Sequence, residues 1–315
     1  MISRVADHAF WLGRYVERAE STARLLATTH NLALDAELEP SACWGPVIVV
    51  AGEEERFKDR GRSWDDGEQV EQFLTWDEDA VSIRESVIAA RWNARSIREV
   101  VSLEAWETTN ELHLWLKSAE ATAQFADHRY EFYRRVRSMT QLCLGLLRST
   151  MLHDEPLDFM WLGVLLERVN QTARMLDVHH HAFTNLPRRH EVVETALWLS
   201  MLRALSGSEA YLKRAAGRVS SEGVARFLVS EPAFPRSIAY CVHSAYGRLC
   251  DIRPPLHHTL PGGVSLERLR VLDAWISARE QEPLSGTAVH DVLTHVVDEV
   301  HEICGTLGRE LLGAD

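Results

Sequence analysis

The chain has 315 residues, of which 46% are hydrophobic and 25% are charged, and its formal net charge is −12 at neutral pH. This composition is typical of a globular protein with a sizeable core, and the acidic balance argues against a nucleic-acid backbone as partner, because such binding depends on a basic surface. The start of the chain lacks the apolar run of a secretory signal, no stretch of about 18 apolar residues offers a membrane span, and five scattered cysteines suit a reducing compartment, so we expect a cytoplasmic protein that does not contact a membrane.

The first part of the chain combines one clear helix with an irregular stretch. Apolar residues that recur every three or four positions predict a helix over residues 3–34. Residues 35–66 are the least regular part of the sequence. Within them, the apolar run 47–50 fits either a strand or a buried helical turn, and the charged tract 53–66 is expected to be a solvated loop.

From residue 67 onwards all local signals are helical. Ser82 and Glu85 have the spacing of a capping box, and a long periodic stretch follows over residues 128–152. Proline and glycine breaks separate further predicted helices over residues 154–182, 191–205, 221–228, 236–249, 266–281 and 287–312. Without a convincing strand elsewhere, the sequence predicts an all-α fold, a single bundle of roughly nine to twelve helices that forms one domain over residues 1–315.

One segment of the sequence occurs twice. Residues 10–26 read FWLGRYVERAESTARLL, and residues 160–176 read MWLGVLLERVNQTARML. Nine of the sixteen aligned positions that start at Trp11 and Trp161 are identical, whereas chance would give about one. The sequence therefore predicts an internal duplication of a helix, with its two copies near residues 3–34 and 154–182.

Each copy places a glutamate beside its apolar stripe. Glu17 and Glu167 occupy equivalent positions, one residue after an apolar position of the helix. Because a buried carboxylate without a partner is costly, each glutamate is expected to be paired inside the assembly. We expect each repeat helix to be enclosed on about three sides.

Each copy also carries a glycine inside a strong helix. Gly13 and Gly163 each destabilise their helix by about 1 kcal/mol relative to alanine. The repetition of this cost predicts that the two repeat helices cross each other, or pass another backbone, near these glycines.

Residues 91–110, which read RWNARSIREVVSLEAWETTN, form an arginine-rich motif. Arg91, Arg95 and Arg98 lie on one helical face. They fit an anion site for phosphate or carboxylate, because guanidinium groups bind such groups through two parallel hydrogen bonds. The alternative is that these arginines pair with buried glutamates of the repeat helices.

Four segments occur in a fixed order along the chain. They are SRVADHAFWLGRYVERAESTARLL from Ser3, RWNARSIREVVSLEAWETTN from Arg91, DFMWLGVLLERVNQTARMLD from Asp158 and FPRS from Phe234. In this order the segments resemble the alpha-E superfamily, a bacterial all-helical family. The resemblance implies an association with a circularly permuted ATP-grasp protein, and often with a transglutaminase-like protease. It also implies a role beside ATP-dependent carboxylate–amine ligation, in the synthesis or modification of a peptide.

The first functional hypothesis is therefore a helical partner or accessory enzyme of such a ligation pathway, with a peptide or an amino acid as substrate. A non-catalytic scaffold or binding module is the alternative, and a metal-dependent helical-bundle enzyme is a second alternative. Histidines motivate the last one, because His30 and His180 are equivalent in the two copies, and because the last helix carries His290, His295 and His301 among acidic residues. Neither copy has the Glu-x-x-His motif of di-metal bundles, and the last helix fits a solvated polar face, so we assign no metal ligand. The chain also lacks GxxxxGK[ST] and GxGxxG loops, and we predict no cofactor.

A shared central site is predicted from the duplication. The tripeptide Arg95-Ser96-Ile97 recurs as Arg236-Ser237-Ile238, and each occurrence lies downstream of its own repeat helix. If a pseudo-two-fold axis relates the two halves, Arg95 and Arg236 approach Glu17 and Glu167 beside a cavity. The candidate binding residues are Glu17, Arg18, Arg24, Arg91, Arg95, Arg98, Glu167, Arg168, Arg174 and Arg236. Because arginines outnumber glutamates, a free guanidinium is expected to bind a substrate carboxylate or phosphate; the alternative is that all these charges neutralise one another in the core.

Overall fold

The computed structural model describes residues 2–35, 39–184, 191–215, 218–255, 260–279, 284 and 287–313. Within these ranges the chain forms fifteen α-helices and no strand, which confirms the all-α prediction. In chain order the helices are α1 (Ser3–Asp35), α2 (Pro40–Ala51), α3 (Glu54–Asp59), α4 (Gly67–Trp76), α5 (Ile83–Ser96), α6 (Leu103–Leu116), α7 (Ala119–Asp127), α8 (Arg129–Thr150), α9 (Glu155–Thr184), α10 (Glu191–Ala204), α11 (Ser208–Arg214), α12 (Ser221–Ser230), α13 (Ile238–Ile252), α14 (Gly263–Ser277) and α15 (Thr287–Leu307), and a π-helical turn (Gly308–Leu312) follows.

The helices outnumber those predicted, because short helices carry too few apolar repeats to be recognised from periodicity. In the described ranges, no helix has both the length and the apolar character that a membrane crossing requires.

The irregular stretch after α1 is more helical than the sequence predicted. Residues 47–50 lie in α2 and not in a strand. This helix is apolar on all sides and buried, so its sequence has no periodicity to distinguish the two states. The prediction of a solvated loop over residues 53–66 is wrong in part, because the tract contains α3, and Phe57 of α3 is fully buried.

Among the helices whose N-terminal caps the structure describes, five begin at a capping serine. The Ser82 hydroxyl accepts a hydrogen bond from the Glu85 backbone N–H at 3.1 Å, at the position that the capping-box spacing predicted. The same role at α6, α7, α12 and α13 belongs to Ser102, Ser118, Ser220 and Ser237. Each cap satisfies an N–H group that the helix leaves unpaired, and so fixes where the helix starts.

Helices α1 and α9, the two repeat helices, form the centre of the bundle. Helix α1 packs against α9, α5 and α8, and α9 packs in addition against α13 and α15. The predicted apolar stripes of both are buried: Leu12, Val16, Ala19, Ala23 and Leu26 in α1, and Leu162, Leu166, Val169, Ala173 and Leu176 in α9. Both helices are thus enclosed on several sides, as their sequences predicted.

Gly13 and Gly163 lie where α1 and α9 touch backbone to backbone. A Cβ atom on Gly13 would lie 2.0 Å from the carbonyl oxygen of Met160, and one on Gly163 would lie 2.1 Å from that of Phe10. No side chain fits at these distances, so the predicted close approach at both glycines is confirmed. The duplication itself and the single domain over residues 1–315 stay predictions from the sequence.

The last described residues return to the beginning of α1. The π-helical turn packs against α1. Gly313 follows it with a φ of 74°, and a Cβ atom there would lie 3.1 Å from the Ser3 hydroxyl oxygen. Residues 3 and 313 are therefore neighbours.

Candidate functional site

Helices α1 and α9 exchange glutamate–arginine pairs beyond the glycine crossing. Arg18 donates from Nε to Oε1 of Glu167 at 2.7 Å and from Nη2 to Oε2 at 3.0 Å. In return, Arg168 donates from Nε to Oε2 of Glu17 at 3.0 Å, and its Nη2 lies 2.9 Å from the same oxygen. Both glutamates are fully buried. Each Glu-Arg dipeptide thus presents its carboxylate and its guanidinium to the other helix.

Two further arginines of α1 join these pairs. Arg14 donates from Nε to Oε2 of Glu167 at 2.9 Å, so two guanidinium groups hold this carboxylate. Arg24 pairs with Glu20, which lies one turn before it. We call the whole set the Glu-Arg network; its members are Glu17, Glu20, Glu167, Arg14, Arg18, Arg24, Arg168 and Arg236.

Arg236 reaches the Glu-Arg network from the turn between α12 and α13. It donates from Nη1 to Glu17 at 2.5 Å and from Nη2 to Glu20 at 2.9 Å. Thr172 of α9 donates to the backbone carbonyl oxygen of Arg236 at 2.9 Å, which holds the turn against α9. Arg236 thus contacts Glu17, one of the two glutamates that it was predicted to approach, whereas its contact with α9 is made through Thr172.

Arginines keep two of the buried carboxylates, those of Glu167 and Glu20, ionised. Burial raises the pKa of the Glu167 carboxyl, but Arg18 and Arg14 outweigh this effect and lower the pKa to about 2. For Glu20, Arg236 and Arg24 likewise overcome burial and lower the pKa to about 2. Glu20 and Glu167 are therefore charged at neutral pH.

The Glu-Arg network has more hydrogen-bond donors than acceptors, because five arginines share three glutamates. Gln141 adds a further donor to Glu20 at 3.0 Å. The Nε atom of Arg24, and that of Arg137 nearby, are buried without a hydrogen-bond partner in the described part of the chain. Burial lowers the pKa of Arg24, and the neighbouring Arg236 adds to this against the pull of Glu20. What this region lacks is negative charge and acceptor atoms.

A pocket of about 250 Å³ lies beside the Glu-Arg network, where α1, α9 and α15 meet. It is lined by Arg14, Asn170, Arg174, Val297, Asp298, Val300, His301 and Cys304. Arg14 donates from Nη1 to the Cys304 sulfur at 3.4 Å. Burial raises the pKa of the Cys304 thiol although Arg14 opposes this, so the sulfur is a neutral, weak acceptor and not a thiolate nucleophile.

Arg174 is the unpaired cation of this pocket. It is half-buried, and it forms no hydrogen bond or ion pair with any residue in the described ranges. The residue one turn before it is Asn170, whose amide carries no charge, whereas Arg24 has Glu20 at the equivalent position. The guanidinium of Arg174 is therefore available to an anion.

The RWNARS segment lies away from the Glu-Arg network, and the prediction that Arg95 joins it is wrong. Arg95 is exposed on α5, because Ala94 and Ile97 take the buried positions on either side of it. Arg91 donates to Asn110 at 2.7 Å. The alternative that these arginines pair with Glu17, Glu20 or Glu167 is wrong as well.

Trp106 is the residue around which the other two arginines of this segment gather. The guanidinium groups of Arg91 and Arg98 lie 5.7 Å and 5.0 Å from the centre of its ring. This separate cluster is held by cation–π contacts.

The candidate binding residues predicted from the sequence include neither Arg14 nor the residues on the α15 side of the pocket. The second copy has Val164 where the first has Arg14, so the comparison of the copies gives no signal for this arginine. Asp298, His301 and Cys304 are spaced by three residues, which places them on one helical face and was the available signal.

His30 belongs to a different polar cluster, built on the buried Glu71. His30 Nδ1 lies 3.4 Å from Glu71 Oε1. Glu71 also accepts hydrogen bonds from Tyr133 at 3.0 Å and from Arg129 at 2.5 Å. His180 is buried, so the two histidines have different surroundings. Over the described ranges, no three His, Cys, Asp or Glu side chains are arranged to hold a metal ion.

A comparison with protein families identifies the chain. The profile of the Alpha-E family, described as a predicted alpha-helical domain with a conserved ER motif, matches residues 1–312. The chain belongs to the Alpha-E family. In this Alpha-E protein, Glu17-Arg18 and Glu167-Arg168 fit the described motif, and they are the dipeptides that exchange ion pairs between α1 and α9.

Relatives of this Alpha-E protein occur in mycobacteria. The chain is 25% identical over 271 residues to the uncharacterized protein Mb2597 of Mycobacterium bovis and to the uncharacterized proteins MT2643 and Rv2567 of Mycobacterium tuberculosis. The matched region covers 79% of this chain but 30% of each relative, so the chain spans less than a third of their length. No solved structure is significantly similar to it.

Proposed function

We propose that this Alpha-E protein is a helical partner or accessory enzyme of a cytoplasmic, ATP-grasp-dependent carboxylate–amine ligation pathway that makes or modifies a peptide. Its own contribution is to hold a carboxylate or phosphate group in the pocket between α9 and α15. One observation carries this proposal: Arg174 is a half-buried cation without a partner in the described ranges, and it lines that pocket.

The chemistry of such a pathway supplies suitable ligands. ATP-dependent ligation of a carboxylate to an amine involves a carboxylate substrate and phosphate groups, and a guanidinium binds either through paired hydrogen bonds. The Glu-Arg network supports this role because it fixes Arg14 at the wall of the pocket through Glu167. Its surplus of arginines makes the local charge positive within a chain of net charge −12.

The mycobacterial relatives are much longer than the matched region, which supports the proposal that this chain acts together with another protein. In those relatives the matched region is joined to further polypeptide that makes up most of the chain. Joining two modules raises their effective concentration towards each other, which favours modules that act together.

Co-expression with a circularly permuted ATP-grasp protein from the same genome tests the proposal. The tagged chain should purify together with that protein, and mass spectrometry should detect a product that depends on ATP and on both proteins. We expect Arg174→Gln to keep the complex and to lower product formation at least about tenfold, which is about 1.4 kcal/mol. Arg226→Gln, at an exposed position of α12, is the matched control and should change neither. If the two proteins neither associate nor depend on each other for a product, the proposal fails.

A non-catalytic scaffold is the alternative, and the saturation of the Glu-Arg network favours it. Each of its three carboxylates accepts hydrogen bonds from at least two side chains, as a purely structural network would require. In this case Glu17→Gln lowers stability, whereas Arg174→Gln leaves product formation unchanged. A metal-dependent bundle enzyme stays a second alternative, which stoichiometric metal in the purified protein would support.

A further inference from the structure

The pocket beside the Glu-Arg network contains an unpaired carboxylate as well as an unpaired guanidinium. Asp298 of α15 lines it together with Arg174 of α9. Neither side chain forms an ion pair with any described residue. Opposite charges that face the same pocket without pairing leave space between them, and a ligand that carries both charges would fill it.

We propose that this pocket binds a free α-amino acid, with its carboxylate on Arg174 and its ammonium group on Asp298. The inference rests on the proposed function and narrows the ligand of that site from an anion to a zwitterion.

Arg174 and Asp298 together favour a ligand that carries both charges over a ligand that carries only one. A simple anion near Arg174 is repelled by Asp298, and a simple cation near Asp298 is repelled by Arg174. An α-amino acid satisfies both groups at once and separates its two charges by only a few bonds. Specificity then comes from repulsion of the wrong ligands as well as from attraction of the right one.

The remaining lining residues and the size of the pocket suit such a ligand. Asn170 lies one turn before Arg174 and offers both a donor and an acceptor. Val297 and Val300 add apolar surface for a side chain. At about 250 Å³, the pocket is smaller than the roughly 300–1,000 Å³ of sites for drug-sized ligands, which favours a small metabolite over a long peptide.

Calorimetric titration of the full chain at neutral pH with three related ligands measures how much each of the two ligand charges contributes to the affinity. L-alanine carries both charges, N-acetyl-L-alanine keeps only the carboxylate, and L-alaninamide keeps only the ammonium group. We expect L-alanine to bind at least about tenfold more tightly than either analogue, a difference of about 1.4 kcal/mol.

Two variants then assign the two charges to residues. Asp298→Asn should remove the advantage of L-alanine over N-acetyl-L-alanine, and Arg174→Gln should weaken both of these ligands. Asp291→Asn, at an exposed position of the same helix outside the pocket, is the control. Circular dichroism shows whether each variant is folded.

The outcomes distinguish this inference from the proposed function. If N-acetyl-L-alanine or L-alaninamide binds as tightly as L-alanine, or if Asp298→Asn leaves the advantage intact, the zwitterion inference is overturned. If N-acetyl-L-alanine binds as tightly as L-alanine, the anion site of the proposed function survives. If L-alaninamide binds as tightly, the carboxylate is not recognised, and the anion site fails as well. If neither carboxylate ligand binds to the unmodified chain, the zwitterion inference fails, and the anion site of the proposed function is restricted to phosphate.

Discussion

The two repeat helices carry the same Glu-Arg pair but differ one turn further on. In α1, Glu20 neutralises Arg24, and both side chains are buried in the Glu-Arg network. In α9 the equivalent residues are Asn170 and Arg174, and the guanidinium is left to face a pocket. The exchange of a carboxylate for an amide at one position therefore separates a closed part of the core from an open site. The two helices therefore differ in role at the position where α9 lacks the negative charge of Glu20, and not at the Glu-Arg pair that they share.

The largest effect is expected from the pairs that the two helices share. Glu167→Gln leaves Arg14 and Arg18 buried without their carboxylate, so we expect the free energy of unfolding to fall by about 3–5 kcal/mol. Urea denaturation at neutral pH measures this. Glu131→Gln removes the exposed partner of Arg134 and should cost less than about 1 kcal/mol. Equal losses for the two variants would show that burial of the pair is unimportant.

The glycine crossing is expected to be nearly as sensitive in both helices. Gly13→Ala and Gly163→Ala each drive a methyl group into a backbone carbonyl of the other helix, which we expect to cost about 3 kcal/mol. Gly145 of α8 is the control, because a Cβ atom there meets nothing within 4 Å. Gly145→Ala should stabilise the protein by up to about 1 kcal/mol through helix propensity. A thermal melt of each variant gives the comparison.

The loss of stability at low pH should depend on the extra buried glutamate of α1, which α9 lacks. The pKa values of Glu20 and Glu167 fall from 4.5 to about 2 on folding. A lowered folded-state pKa means that the stabilisation is complete above about pH 4.5 and is lost as the pH falls towards 2. Glu20→Asn, which gives α1 the residue type of α9, should flatten this loss in a series of melting temperatures. A slope identical to that of the unmodified chain would contradict the prediction.

The smallest effect in free energy is expected from the reverse exchange in α9. Asn170→Glu places a carboxylate one turn before Arg174, where the two can pair as Glu20 and Arg24 do. We expect the affinity for N-acetyl-L-alanine to fall at least about tenfold, or about 1.4 kcal/mol, with unchanged or higher stability. Asn170→Gln keeps the residue uncharged and is the control. If Asn170→Glu binds the ligand as before, Arg174 is not its receptor.

The repeat predicted much of the Glu-Arg network because its members stand at identical positions in both copies. Glu17, Arg18, Glu167 and Arg168 were found in this way, and the same reasoning predicted the crossing at Gly13. These glutamates and arginines pair from the same helical face in both copies. The periodicity of a helical sequence indicates directly which residues share a face.

What the sequence could not place depends on contacts between distant helices. The tripeptide at Arg95 has the right residue types, but only the packing of α5 decides that Ile97 turns inwards and Arg95 turns out. The pocket arises where α15 packs against α9, and no local pattern in either helix predicts which partner the other will meet. Arg14 joins the network through such a contact and has no counterpart in the second copy.

The neighbouring positions of Ser3 and Gly313 have a consequence for tethering. A polypeptide that continues on both sides of these residues enters and leaves the bundle at one place. The bundle can therefore be attached to a larger assembly through two adjacent linkers without being strained. Short linkers at one point of attachment hold such a module within a small volume, in which the local concentration of each partner reaches the millimolar range.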